Sequence, residues 1–512
     1  MGVIPLIMLA IYFVIIIVLT LRTPKSGSGN FEDFMTGSKS MGAIVVGLVM
    51  MVTYYSGSTW TGWIGFAGIN GAFAGYVIPY GFCTGLGMYA LAKRLWPLGK
   101  QYQLSDCGDI YELRYQSKLL KTIAGLTGAI LNTTWITMEL VTIGYIIKAC
   151  SGGAISTAVG SLIGLVFMVA YTLWGGVKSV ASVNTFQSIV MVFGAVGIIL
   201  YVVYHYYGSV GNMFSIALDI SPQVFVLDSS MNASWFSFVF LCSIGALCYP
   251  SIFLKMFMAK SPNEVKKSAI MNSFGSLWCL LILLGGFACI GYQVATGHVI
   301  GNWEEALPQM MAESGNAVLF GIMCIFILAG CMGTVDGTLL SISGIVTNDA
   351  ILVWKRHKVH DGCIGTKDYN GADDGGKSVK WTRIIVVIIG VCAYIITTFD
   401  LPLLVNIAMI NYQGIGLLMI PLVGAVTWKK ATKEGAFSGL IGGLLVTIAL
   451  MTAGLNPLGF LPGIYGVIVE AILYIGISLA TYKQDKSEAK MFEEFKRYTG
   501  DAVDGETGKF LA

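Results

Sequence analysis

The sequence predicts an all-α polytopic membrane protein of thirteen transmembrane helices, with an inverted five-helix repeat core whose first helices are broken. Three observations carry this reading. Of 512 residues, 55% are hydrophobic and only 12% charged, whereas soluble domains carry about 25% charged residues. Apolar runs long enough to cross a hydrocarbon core of roughly 30 Å recur along the whole chain. Two of these runs carry helix-interrupting signals at mid-depth, five spans apart.

The runs cover residues 3–21, 41–68, 70–95, 118–148, 155–177, 183–206, 235–258, 268–293, 316–347, 381–399, 402–428, 433–453 and 460–482. The first has no basic residues before it and no small-residue cleavage site after it, and so reads as a retained span rather than a signal peptide. The second holds MVTYYSGSTWTGW, residues 51–63, with hydroxyls and glycines where a lipid-facing helix would show leucine and valine. The seventh has Gly245 followed by Cys248-Tyr249-Pro250. Counted from the second span, the seventh opens a second group of five. Breaks at these two places put freed carbonyls and half-helix ends at mid-membrane, where an ion and a solute can bind. The chain then divides as a single transporter domain, 1–512, with an extra N-terminal helix (3–21), a first repeat (41–206) and a second repeat (235–428). Two C-terminal helices (433–482) and a cytoplasmic tail (483–512) follow, and EAKMFEEFKRY in the tail reads as a short surface helix.

Charge gives an independent test, because Lys and Arg accumulate in cytoplasmic loops. With the N-terminus outside and the C-terminus in the cytoplasm, the inner loops hold Arg22, Lys39, Lys93, Arg94, Lys178, Lys266, Lys267, Lys429 and Lys430. The outer loops hold Asp219, Asp228, Glu304, Glu305, Glu313 and Asp400, with Lys148 as the one basic exception. This is the pattern of a multi-pass protein of the cell membrane, and the net charge of +3 is a topology signal rather than a nucleic-acid footprint.

Other signals are weaker. GADDGGKS, residues 371–378, matches a phosphate-loop pattern, but no strand or nucleotide domain surrounds it and Asp373 and Asp374 repel phosphate. Asp368 and Asn370 have part of a calcium-loop spacing without its closing Glu. The expectation is a solvated loop, no nucleotide, no cofactor and no transition metal. The eleven cysteines lie mostly inside apolar runs without C-x-x-C spacing and read as small core residues. Four scattered histidines supply no catalytic set, so an enzyme is not expected. No filter-like motif suggests a channel, and no soluble signalling domain suggests a sensor.

Ionisable groups inside spans cost at least roughly 2.5 kcal/mol at the bilayer centre and usually face the bundle interior or a water-filled path. Glu139, Asp336 and Glu470 are the three read here. Trp135 and Glu139 share a helix face, as a solute wall or as a structural bond to a neighbouring helix. Glu470 reads as structural. Asp336 sits in AGCMGTVDGTLLS, residues 329–341, where small and hydroxyl residues permit close packing.

Four stretches resemble the sodium:solute symporter family, which includes proline, pantothenate and galactose symporters of the leucine-transporter fold. They are FEDFMTGSKSMG (31–42), YTLWGGVKSVASVNTFQ (171–187), AGCMGTVDGTLLSISGIVTND (329–349) and AVTWKKATKEGAFSGLIGG (425–443). The resemblance implies a sodium site formed by the carbonyls of Val52, Tyr55 and Gly330 with the side chains at 333 and 334. Thr334 keeps its hydroxyl, whereas Gly333 stands where the family usually has Ser. The resemblance also points to a second cation site near Asn184, where many members have Asp; either Asp336, which stands where members have Ser, supplies the carboxylate instead, or both positions have drifted and Asp336 is structural or exchanges a proton. A solute site would be lined by Ser56, Thr59, Trp60, Trp135, Glu139, Phe238, Asn411 and Gln413. The expected function is sodium-coupled symport of a small organic solute into the cell, leaning to an amino acid or amine through aromatic faces beside a carboxylate. A carboxylate or vitamin such as acetate or pantothenate is the alternative, and the lipid bilayer is the remaining partner.

Overall fold

The computed structural model describes residues 3–23, 31–354, 377–399 and 401–511. The loop sequences 361–376, including most of GADDGGKS, and Asp400 lie outside the described residues. α1 (Ile4–Arg22) buries Pro5, Leu9, Tyr12, Ile16 and Thr20, one stripe at steps of three and four residues. Its other faces expose Ile7, Ile11 and Val14, as suits a helix at a lipid boundary.

The short α2 (Phe31–Thr36) leads into α3 (Ala43–Tyr54). There the helix stops: Tyr55 leaves helical geometry, Ser56 is extended, Gly57–Trp60 makes a single tight turn, and α4 (Gly62–Asn70) resumes. α5 (Val77–Gln101) continues the chain, and α3 meets the stretch Gly57–Gln101 at 55°. The short α6 (Cys107–Tyr115) precedes the long α7 (Lys118–Cys150). α8 (Thr157–Tyr207) spans two of the apolar runs, joined at Gly176 with φ 58° and ψ −156°. A Cβ there would meet the Phe34 ring at 2.7 Å, so the kink requires glycine both for conformation and for room.

After α9 (Val210–Ile220), the second break separates α10 (Asn232–Cys248) from α11 (Pro250–Met258) at the single residue Tyr249. α12 (Pro262–Gly275) and α13 (Cys279–Thr296) form one long span, followed by the short α14 (Ala306–Glu313). α15 (Ala317–Ile345) runs through the centre, and every residue from Phe326 to Ile345 is buried. Its glycines set the approach of its neighbours: a Cβ at Gly330 would meet Gly57, at Gly333 Val52, at Gly337 Lys255, and at Gly344 Met35. α16 (Lys377–Ile396), α17 (Leu404–Ile415), α18 (Met419–Thr427), α19 (Lys433–Thr452) and α20 (Pro462–Thr481) complete the bundle.

Each of the thirteen apolar runs falls on helix. Length and apolarity single out eleven spanning helices among the described residues, or up to twelve with the bent pair as one span. The count differs from thirteen because the second and third runs form a nearly continuous helical stretch, Gly57–Gln101, beyond the first break. All ten cysteines among the described residues are free.

The tail is packed onto the bundle. α21 (Ser487–Tyr498) buries Met491, Phe492 and Phe495. Arg114, fully buried on α6, donates to the carbonyls of Ala425, Trp428 and Lys429 at the end of α18 and to Glu488 O on α21. At the acidic end, Lys148 is paired with Glu305 at 3.2 Å.

Candidate functional site

The break after α3 is where most of the predicted residues converge. Thr334 Oγ1 on α15 donates to Val52 O and to Gly330 O, each at 3.1 Å. Val52, Gly330 and Thr334 are thus brought together as hard oxygen donors around one point, the type of shell a small hard cation takes. Tyr55 stands at the end of α3 with φ −105° and ψ 62°. Gly333 offers no hydroxyl, and the structure gives the reason: a Cβ there would lie 2.6 Å from Val52 Cγ2. The Val52 side chain occupies the room that a serine would need. The Gly333 carbonyl instead accepts from Asn184 Nδ2 at 3.1 Å.

Asn184 and Asp336 also meet, at 3.2 Å, and Asp336 further accepts from Tyr171 OH at 2.9 Å and from the Gly337 amide at 2.5 Å. The carboxylate is fully buried. A fourth ionisable group, unread in the sequence, belongs to this region. Lys255 on α11 is buried, and its Nζ donates to Thr53 Oγ1 on α3, beside Val52. Glu470, on α20, packs against Gly439 and Gly443 of α19.

Glu139 reaches the break from α7, but it serves the main chain. It accepts from the Ser58 amide at 3.1 Å and from Ser58 Oγ at 2.5 Å. Of its two sequence readings, the structural bond is the one the geometry shows. Ser56 is fully buried, with its hydroxyl 2.9 Å from Ser58 Oγ and 3.3 Å from Thr59 Oγ1.

A narrow cavity beside the break is lined by Tyr54, Tyr55, Thr59, Trp63, Tyr80 and Trp135, with room for about one water. Thr59 and Trp135 therefore lie where a solute wall was expected, and Trp60 does not. Trp60 packs edge-on against Trp278 and Phe326, with centroids 6.5 and 5.7 Å away. The tight turn at 57–60 sets Thr59 toward the cavity and Trp60 away from it. Trp63 takes the inward position, stacked on Trp135 at 6.0 Å and 7°.

Phe238 does not line this cavity but packs with Phe66, Phe73 and Tyr76, and Tyr76 joins that cluster to the cavity wall through Trp63 and Tyr80. Asn411 donates to Leu131 O at 2.6 Å, and Gln413 Oε1 accepts from the Gly463 amide at 2.9 Å, so both hold helices together. The residue between them, Tyr412, faces inward, 5.7 Å from Trp135 and 6.3 Å from Tyr80. One step along a helix turns a side chain by about 100°, which is why the neighbours of an inward residue were read in its place. Tyr54, Trp63 and Tyr80 line the cavity and were not expected there, and Tyr249 and Tyr412 pack against its wall at Trp135. Tyr249 had a signal: it sits in the second break, and its ring lies 5.9 Å from Trp135.

Several known proteins resemble this chain. The high-affinity proline transporter PutP of Bacillus subtilis (strain 168) is 23% identical over 92% of this chain and 97% of its own length. The sodium/pantothenate symporter of Escherichia coli (strain K12) is 22% identical over 88% of this chain and 91% of its own. A shorter match, 28% identical, joins 54% of the chain to 56% of the uncharacterized symporter YhjB of Bacillus subtilis (strain 168). A sodium-coupled sialic acid symporter, solved in a substrate-bound outward-open state, superposes with a TM-score of 0.77 at 15% identity, over 94% of this chain and 99% of that one, which speaks for the fold. The model of the sodium:solute symporter family matches residues 34–443, and the chain belongs to that family of multi-pass membrane transporters.

Proposed function

We propose that the chain carries a small amine or amino acid into the cell together with sodium. The observation that carries the reading is the bridging of Val52 O and Gly330 O by Thr334 Oγ1 at the broken helix, directly beside an aromatic cavity. Sodium takes the oxygens of Val52, Tyr55, Gly330 and Thr334, and the solute takes the space between Thr59, Trp63, Trp135 and Tyr412 once that space widens. Aromatic faces attract a desolvated ammonium by about 2 kcal/mol. The Ser58 amide at the break is already satisfied by Glu139, so it is not on offer to a solute carboxylate. That argues for recognition through an amine, on the aromatic faces, rather than through a carboxylate at this amide.

Energetically, one charge crossing a potential of about 100 mV supplies about 2.3 kcal/mol, and a tenfold ion gradient adds about 1.4 kcal/mol. Together these sustain roughly several hundredfold accumulation of a zwitterionic solute at one ion per cycle. Binding of ion and solute from outside biases the two-state equilibrium of the bundle, which then rocks to release both inward. Uptake of a radiolabelled panel by proteoliposomes, with and without an inward sodium gradient, tests the reading. Proline, other amino acids and amines are the expected substrates. Gradient-driven uptake confined to pantothenate or acetate would favour the carboxylate alternative, for which the pantothenate relative speaks.

A further inference from the structure

Three basic side chains are buried among the described residues: Arg114, Lys121 and Lys255. Arg114 is engaged by main-chain carbonyls, and Lys121 lies against Asp109, Glu112 and Asp349. Lys255 is different. It projects from the half-helix α11 after the second break and donates to Thr53 on the half-helix before the first. No described carboxylate lies within ion-pair distance of it. Its ammonium stands 3.3 Å from the point where a side chain at Gly337 would begin, so the absence of a side chain on α15 is what admits it.

The residue preceding Gly337 is Asp336, and the two charges act on each other electrostatically. Around Asp336 stand Asn184 and Tyr171 as donors, with Tyr12 within electrostatic reach from α1. All of these are neutral. A buried carboxylate in the membrane interior needs a countercharge, and a lysine brings a compact point charge on a flexible stem. The pair Asn184 and Asp336, read from sequence as a second cation site, therefore already has a cation within electrostatic reach, attached to the chain and lodged against the next residue, Gly337.

We propose that the Lys255 ammonium is a resident cation that holds the place of a second coupling ion beside Asp336, so that the chain binds a single sodium. That sodium sits at the oxygens of Val52, Gly330 and Thr334. This inference rests on the sodium reading above. It adds that the stoichiometry is set by a side chain of α11, and that removing this side chain opens a second sodium site.

Equilibrium binding of radioactive sodium to the purified full-length chain in lipid nanodiscs tests it without knowledge of the solute. The wild-type chain is expected to bind about one sodium and Lys255→Met about two, with Lys255→Arg and the double variant Lys255→Met/Asp336→Asn back at about one. A structural role for Lys255 would lower binding, not raise it. A Lys255→Met chain that still binds one overturns the inference. So does a wild-type chain that binds two, a measurement that needs no variant to fold. A wild-type chain that binds none overturns the sodium reading itself.

Discussion

The two breaks in the bundle look alike in sequence and differ in how their main chain is satisfied. The first spans residues 55–61 and borrows partners from elsewhere: Glu139 on α7 takes the Ser58 amide, and Thr334 on α15 takes Val52 O. The second is one residue wide and largely closes on itself. Tyr249 N donates to Ala246 O, and its carbonyl accepts from Ile252 and Phe253 at 3.0 and 2.9 Å. Pro250, at the first helical position, has no amide to satisfy. Its main lateral tie is Tyr249 OH to Thr338 Oγ1 at 3.0 Å. A break that depends on other helices can exchange those partners for an ion. A break that is self-contained bends without offering a vacant donor or acceptor.

Substitutions can break or sharpen that contrast. The largest effect is expected at Gly57, where a Cβ would lie 2.1 Å from Cys331 Sγ and 2.5 Å from Ile327 O. Gly57→Ala must push α15 away, costing about 3 kcal/mol, and sodium-driven uptake in proteoliposomes should fall to background. Thr334→Val keeps the shape and removes the hydroxyl that bridges the two carbonyls. The sodium concentration for half-maximal uptake should rise roughly tenfold or more. Glu139→Gln leaves one acceptor for Ser58 and removes the charge assistance, so thermal unfolding should register a loss of about 1.5 kcal/mol with uptake reduced but present.

Pro250→Ala should matter least of the four, about 0.5 kcal/mol with uptake within about twofold of the wild type. If it instead cripples transport as Gly57→Ala does, the contrast between the breaks is lost.

A separate effect, on stability rather than uptake, concerns Asp106, which caps α6. Burial, then the neighbouring Asp109, raises its carboxyl from 3.8 to about 6. A raised folded-state value favours the protonated form. Its contribution is fully present below 3.8 and is lost as pH rises through about 6. Asp106→Asn, which still caps the helix, should therefore match the wild type in thermal stability near pH 4 and exceed it near pH 7.

The spans and the first break were legible because each depends on chemistry that lipid punishes, an apolar run or a mid-depth hydroxyl, whereas the grouping of Thr334 with Val52 came through the family resemblance alone. What escaped were orientations. Asn411 and Gln413 knit α17 to its neighbours, while Tyr412 between them packs on Trp135. Trp60 is turned by the tight turn at 57–60 onto Trp278 and Phe326, an orientation that a list of break residues does not contain. Lys255 was missed for a different reason. It stands near the basic end of its span, where a lysine reads as a loop anchor, and only the approach of α3 and α15 shows it to be enclosed.

The Arg114 clamp bears on the order of synthesis. Its guanidinium needs carbonyls that follow it by more than 300 residues, and Glu488, the last of them, follows by 374. Until that stretch leaves the ribosome, the loop after α5 holds a charged group whose shell is incomplete, at a cost that buried polar groups cannot sustain. Final closure of the basic end must therefore wait for the tail, and the nascent first half stays pliable while the second half is inserted.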